Sequence, residues 1–311
     1  MIIEKIGKVV KGLGGLYNVR VDDGGETVIY SCRAKGSLHR DEEKLLIGDT
    51  VRISIDEDTP DGIVVSDIFD RKNALIRPPM ANLDYLFMVF AAKKPAPVLE
   101  VVDKLIAIAL HNEIVPVVVI TKQDLSSSLA EEYGDIYNKV GIDTFITSSE
   151  SREGVEALKN YIKEHIKDGV TAAFAGASGV GKSTLMNALF PNLSLSTSEI
   201  SKKIERGRHT TRHVEIFDIG GGGFLADTPG FSLVDFARFD FFELEDLMHT
   251  FPDIERAAVG CTYTDCSHVG EGAEECAVAR AALNGMISPS RLESYKSVYK
   301  ILKEKKNKFD K

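Results

Sequence analysis

Nine consecutive residues, Gly176-Ala177-Ser178-Gly179-Val180-Gly181-Lys182-Ser183-Thr184, satisfy the phosphate-loop pattern GxxxxGK[ST] in full. Glycines at these spacings let backbone N–H groups turn inward around phosphate oxygens, where the N-terminus of the next helix adds a favourable dipole. Lys182 then reaches the β and γ phosphates, and Ser183 offers its hydroxyl to Mg²⁺. An apolar run, Val170 to Ala175, precedes the loop and Leu185 to Leu189 follows it, the strand–loop–helix setting that the motif requires. Downstream, Asp227-Thr228-Pro229-Gly230 closes the apolar run Gly223 to Ala226. A carboxylate at a strand end suits a magnesium site, and the N–H of Gly230 suits a γ-phosphate. By itself, DTPG is also an ordinary turn.

A second group of residues reads as base recognition. Thr121-Lys122-Gln123-Asp124 ends the apolar run Val117 to Ile120. A carboxylate there accepts two hydrogen bonds from the N1 and N2 edge of guanine, a donor pair that adenine lacks. The Lys122 stem can lie over the base. Thr121 stands where most GTPases carry Asn, and it has no amide donor. A helix cap is the plainer role open to Asp124. Thr147-Ser148-Ser149, followed by Gly154, resembles the loop that touches guanine O6 through a backbone N–H, with Ser149 at the usual Ala position.

The order of these motifs is informative. Base recognition at 121–124 and 148–149 precedes the phosphate loop at 176–184 and the DTPG switch at 227–230, whereas ordinary GTPases begin with the phosphate loop. A parallel sheet tolerates such a cut if its old ends lie close together. The switch then runs straight into the C-terminal residues, and γ-phosphate-dependent ordering of 227–235 is expected to reposition them.

Cys261-x4-Cys266-x-His268-x7-Cys276 supplies four zinc-competent side chains. A complete Cys₃His shell leaves no position for a catalytic water, so a structural zinc is expected. Buried free thiols are the alternative. Cys32 stands apart and reads as a strand core residue, and His39, His111 and His165 as surface or packing residues.

The elements that must hold these groups follow from patterning. Short β-rich runs punctuated by glycine fill residues 1–70 and indicate an OB-fold-like barrel. Strands and helices alternate from 71 to 234, the rhythm of a parallel sheet covered by helices. Residues 235–311 read as a helical zinc-binding domain whose last helix is capped by Ser288 with Pro289 in its first turn. The fold class is thus multidomain α/β: barrel, circularly permuted P-loop GTPase domain, helical zinc domain.

With 311 residues, 43% of them hydrophobic, the chain can bury such cores. No apolar run approaches membrane-span length and the N-terminus lacks a secretory apolar core, so a cytoplasmic protein is expected. The net charge of -9 argues against indiscriminate nucleic-acid binding. Residues 291–311 differ, with eight Lys or Arg against Glu293, Glu304 and Asp310, and Tyr295, Tyr299 and Phe309 interleaved.

The chain resembles the RsgA (YjeQ) family of circularly permuted GTPases over nearly its whole length. The resemblance rests on Ala81-Asn82-Leu83-Asp84 after Arg77-Pro78, on Gly207-Arg208-His209-Thr210-Thr211, on the phosphate loop and on the cysteine cluster. It implies GTP hydrolysis to GDP stimulated by the small ribosomal subunit, binding near the decoding region through rRNA contacts, and a role in late maturation. It also implies a first switch at 207–212, where Thr211 is preferred over Thr210 as a magnesium ligand. Phe231 follows Gly230 where many GTPases place a water-orienting Gln, and His209 is the family's candidate for the missing catalytic group. The family spacing before the last cysteine is usually shorter by about two residues. A monomer is expected. Competing readings are a P-loop ATPase or small-molecule kinase, and a nucleotide-regulated RNA-binding module that scarcely turns over.

Overall fold

The structure, a computed structural model, describes residues 2–35, 44–59, 62–191, 214–227 and 235–309. In chain order the strands are β1 (Ile2–Leu13), β2 (Leu16–Asp23), β3 (Glu26–Ala34), β4 (Thr50–Asp56), β5 (Ile63–Ile68), β6 (Ala74–Leu75), β7 (Met80–Ala81), β8 (Tyr85–Ala91), β9 (Val115–Thr121), β10 (Asp143–Ile146), β11 (Thr171–Ala175), β12 (Glu215–Gly220) and β13 (Gly223–Asp227). The helices are α1 (Leu99–His111), α2 (Ser127–Val140), α3 (Val155–His165), α4 (Lys182–Leu189), α5 (Pro252–Ala258), α6 (Ala277–Leu283) and α7 (Pro289–Phe309). Short 3₁₀ turns occupy Gln123–Leu125 and Leu244–Thr250. The chain divides into two compact units.

One unit comprises residues 1–85, 161–174 and 193–231. β1 is its hub. Its second half pairs antiparallel with β2 and its first half with β4. β2 pairs with β3, β3 runs parallel to β5, and β5 returns antiparallel to β4. The five strands therefore close into a ring in the order 1-2-3-5-4, with the β3–β5 contact made by Arg33 and Ala34. Val9, Val19, Val21, Val51, Ile53 and Val65 fill it. The small barrel expected from the β-rich N-terminal pattern is this ring. Cys32 is buried within it, and burial pushes its thiol up to about 11, as befits an inert core residue.

β1 also meets β12, at Lys11 and Glu215. β12 pairs antiparallel with β13, and β13 parallel with β11. A single strand therefore belongs to the barrel and pairs with β12, beyond which lie β13 and β11, the strands that end at Asp227 and at the phosphate loop.

The other unit comprises residues 86–160, 175–192 and 232–311. β8, β9 and β10 lie side by side, with β9 and β10 parallel. β8 and β9 are apolar and buried along nearly their whole length, the burial expected of strands covered on both faces by helices. The base-recognition loops and the zinc-competent cysteines share this unit. Among the described residues no helix is long and apolar enough to cross a membrane.

The basic C-terminal helix α7 is anchored by one of its own charges. Arg291 is wholly buried. Its guanidinium donates to Asp103 of α1 at 2.8 Å and to both carboxylate oxygens of Asp253 of α5, at 2.7 and 3.2 Å, and it lies 4.7 Å from the Phe251 ring centroid. Burial disfavours the charged guanidinium, but the two aspartates more than offset it and hold Arg291 above its ordinary range. Burial also raises the Asp103 carboxyl, whose Oδ2 has no hydrogen-bond partner among the described residues. Removing the shared cation leaves two buried carboxylates facing each other. Arg291→Ala is therefore expected to lower unfolding free energy by about 3–5 kcal/mol, read from the denaturant midpoint. A loss below about 1 kcal/mol, the value of a surface pair, would show that the triad contributes no more than an exposed one.

Candidate nucleotide site and metal centre

The phosphate loop begins where β11 ends. Gly176 passes so close to β8 that a Cβ there would sit 2.3 Å from the carbonyl oxygen of Val89. Only glycine fits that approach. Gly181 precedes α4 with φ +96°, a left-handed conformation that starts the helix on Lys182. Both glycines of the GxxxxGK pattern thus have a steric reason for their positions.

The loop's carbonyls are taken up by the TKQD segment. The Thr121 hydroxyl, 2% exposed, hydrogen-bonds to the carbonyl of Val180, and it also lies 3.2 Å from the carbonyl of Phe90. Lys122, itself at φ +57°, donates to the Gly179 carbonyl at 2.6 Å and to the Lys94 carbonyl at 2.7 Å. The Thr121 hydroxyl, standing where most GTPases carry Asn, thus tethers the 121–124 segment to the 176–184 loop. Sequence alone missed that role, and the Lys94 carbonyl carried no signal at all.

The Asp124 carboxylate accepts the hydroxyl of Ser148. Ser148 is fully buried, and its oxygen in turn accepts the N–H groups of Glu150 and Ser151 at 3.2 Å. Gln123 N–H bonds the Thr147 carbonyl, so the two loops at the ends of β9 and β10 are stitched by backbone as well. Thr121, Lys122, Asp124, Ser148 and the 176–184 loop are all brought together in one unit. Asp227 ends β13. Gly230, His209 and Thr211 lie outside the described residues, as do Phe231 and His39.

Cys261, Cys266, His268 and Cys276 converge as their spacing implies. Their ligand atoms all lie within 4.8 Å of one another. His268 Nδ1 is 3.6 Å from the Cys261 sulfur and 3.5 Å from that of Cys276, and those two sulfurs are 4.0 Å apart. A tetrahedral zinc at ordinary bond lengths demands sulfur–nitrogen separations of about 3.6 Å and sulfur–sulfur separations of about 3.8 Å. The donor set fits zinc on chemistry and on size.

The electrostatics agree. Burial, followed by the facing Cys276 and Cys261 sulfurs, pushes the Cys266 thiol up to about 12. Burial also keeps His268 below its ordinary range and hence neutral, the ligating form. The Cys266 thiol stays protonated here unless a cation draws its proton off. Amides help: Ala277 N–H points at the Cys261 sulfur (3.3 Å) and Ala279 N–H at that of Cys276 (3.4 Å), where Cys276 caps α6.

The long stretch before Cys276 is ordered by residues that spacing did not flag. Glu271 accepts Ser267 N–H and hydroxyl on one oxygen, and Val269 and Gly270 N–H groups on the other, all within 3.1 Å. Burial alone would raise this carboxyl; the hydrogen bonds overcome it and hold it at about 2. Arg280 donates to the carbonyl of Ala273, and Thr262 N–H to that of Glu275. The extra residues are thus absorbed by a carboxylate-centred turn, and the ligands keep their geometry.

Comparison with known proteins agrees with this arrangement. The family model of the RsgA GTPase matches residues 68–237, and that of the RsgA N-terminal domain matches residues 6–64. A Listeria monocytogenes protein named small ribosomal subunit biogenesis GTPase RsgA 2 is 40% identical over 307 residues, which is 97% of this chain and 99% of that one. A Bacillus cereus protein named small ribosomal subunit biogenesis GTPase RsgA is 36% identical over the same span. Among solved structures, YloQ, described as a circularly permuted GTPase, superposes with a TM-score of 0.76 at 32% identity, covering 97% of this chain and 96% of that one. YjeQ from Thermotoga maritima gives 0.76 at 31% identity, covering 96% and 99%. Motif order, loop geometry and these matches coincide, and the chain belongs to the RsgA family of circularly permuted GTPases.

Proposed function

We propose that this GTPase binds the small ribosomal subunit and its rRNA in the cytoplasm, as a monomer, and hydrolyses GTP to GDP there during late maturation. The observation that carries the reading is the tie of Thr121 and Lys122 to the carbonyls of Val180 and Gly179, which joins base recognition to phosphate binding. The curated relatives' names supply the ribosomal partner. We assign residues 1–70 to an OB-fold-like barrel that meets rRNA, 71–234 to the permuted GTPase domain and 235–311 to the zinc domain.

The residue roles follow from chemistry. The N–H groups of residues 176–184 cradle the phosphates, and Lys182 neutralises charge on the β and γ oxygens. Asp124 accepts the guanine N1 and N2 protons, with Ser148 holding it in register, while the 148–149 backbone faces O6. Ser183 and Thr211 would hold Mg²⁺, with Asp227 directed at it. Mg²⁺, when bound, would offset the negative charge of the phosphates. His209 would orient water in the place that Phe231 cannot fill. Cys261, Cys266, His268 and Cys276 would hold one structural zinc.

Phe231 favours a second reading, a nucleotide-regulated RNA-binding module with little turnover. Hydrolysis measured with and without small subunits separates the two. Strong stimulation is expected from the first reading, and a rate that subunits do not change would favour the second. An adenine nucleotide is disfavoured, because it offers Asp124 no donor pair.

Asp124→Asn is expected to weaken GTP binding about 10- to 100-fold, the worth of hydrogen bonds to a charged acceptor. It should gain affinity for xanthosine triphosphate, whose C2 carbonyl accepts from the new amide. Equal affinity of variant and wild type for GTP would remove Asp124 from base recognition. Metal analysis is expected to find one zinc per chain, with chelation exposing three thiols to alkylation together. Freely alkylated thiols in metal-free purified protein would overturn the zinc assignment.

A further inference from the structure

Two strands deliver the phosphate-binding motifs: β11 runs into the phosphate loop and β13 runs into Asp227. Both start from one junction in the unit that contains the barrel. Thr171 and Phe224 are paired there across the two strands. Thr171 is fully buried. Its N–H donates to Asp84 Oδ2 at 2.8 Å, and its carbonyl accepts the Asp84 N–H at 2.9 Å. Its hydroxyl accepts from Lys8 Nζ at 2.7 Å, and Lys8 also donates to the Gly169 carbonyl at 2.9 Å.

Lys8 belongs to the barrel strand β1. Its ammonium sits 4.4 Å from the centroid of the Phe224 ring, and the Arg20 guanidinium of β2 lies 5.0 Å from the same centroid. Arg20 further pairs with Asp218 of β12, and Lys11 with Glu215. On the other side, Asp84 follows Asn82 in the Ala81–Asp84 motif, whose function the nucleotide site leaves unexplained. Asn82 adopts φ +56°, accepts Lys72 N–H at 2.9 Å and donates to the Gly48 carbonyl, in the segment entering β4, at 3.0 Å. The roots of β11 and β13 are thus held from both sides by groups fixed to the barrel. Burial lowers the Lys8 ammonium to about 8 despite Asp84, and Lys72 and Arg20 add repulsion, so the ammonium is held there by geometry at a cost in charge.

We propose that Lys8 and Asp84 are positioning residues for hydrolysis: they fix the roots of β11 and β13, so that force on the barrel reaches the phosphate loop and Asp227. Neither touches nucleotide. This rests on the reading of the chain as a subunit-stimulated GTPase.

The test compares GTP hydrolysis by full-length wild type, Lys8→Met, Lys8→Arg, Asp84→Ala, Asp84→Asn and Lys72→Ala, at saturating small subunits and without them. Subunit affinity and thermal midpoints are measured in parallel. Lys8→Met and Asp84→Ala are expected to lose about tenfold in the stimulation factor. Their KM for GTP and their subunit affinity should stay close to wild type. Asp84→Asn, which keeps an acceptor for the Thr171 amide, and Lys8→Arg, which keeps a cationic donor, should retain most of the stimulation. Lys72→Ala removes only the exposed partner of Asp84 and should retain it all. Amide hydrogen exchange on wild type needs no variant to fold: subunit binding should slow exchange in Thr171–Ala175 and Phe224–Asp227. Unchanged stimulation in Lys8→Met and Asp84→Ala, or unchanged exchange in both strands while hydrolysis is stimulated, would overturn the proposal alone. A wild type that subunits do not stimulate would instead overturn the functional reading on which it rests.

Discussion

A loop that turns its N–H groups toward a phosphate must send its carbonyl groups elsewhere. Each such carbonyl needs a donor, since a backbone acceptor left without one costs as much as a lost hydrogen bond. Here the donors for Val180 and Gly179 come from Thr121 and Lys122. The 121–124 segment, the proposed base-recognition loop, thus also satisfies carbonyls of the proposed phosphate loop. The neighbouring loop joins them through Ser148, which holds the Asp124 carboxylate and is itself held by two backbone N–H groups. The nucleotide site is in this sense one hydrogen-bonded object drawn from three separated stretches of chain.

The same constraint explains why the permuted order is harmless. What the site needs is that the ends of β9, β10 and β11 present their loops, and strand-end geometry is indifferent to the order in which the strands were made. The cut does change what the strands are attached to. β1 closes the barrel with β2 and β4 and also meets β12, so the barrel continues into the sheet that holds β13 and β11.

Much of this was legible in the sequence because the chemistry is local. GxxxxGK[ST] states its backbone requirement in its glycines, and four zinc-competent residues within sixteen positions state theirs by donor type. The apolar runs of β8 and β9 likewise announce burial on two faces. The parts that were not legible depend on partners far away in the chain. Thr121 looked like a defect beside the usual Asn, because its hydroxyl finds its partner only once residue 180 is brought to it. Glu271 looked like one more acid in a glycine-rich loop, until that loop closed around it and aimed four donors at its carboxylate. In the sequence Arg291 is one of eight basic residues in 291–311, and its burial against Asp103 spans 188 positions.

That last residue also bears on how the nucleotide can act. Because DTPG leads directly into the C-terminal residues, the motif order predicts that γ-phosphate binding repositions that segment. Swinging it as a body relative to α1 would draw the Arg291 guanidinium away from Asp103 and strand the charges in a buried setting. Breaking a buried pair costs about 3–5 kcal/mol, whereas coupling between a ligand site and a distant element typically amounts to about 1–3 kcal/mol. The cost of parting the charges lies at or above the usual range of such couplings, which disfavours separating α1, α5 and α7 in response to the nucleotide. A response of the C-terminal segment to the γ-phosphate that leaves that joint intact is the less costly one.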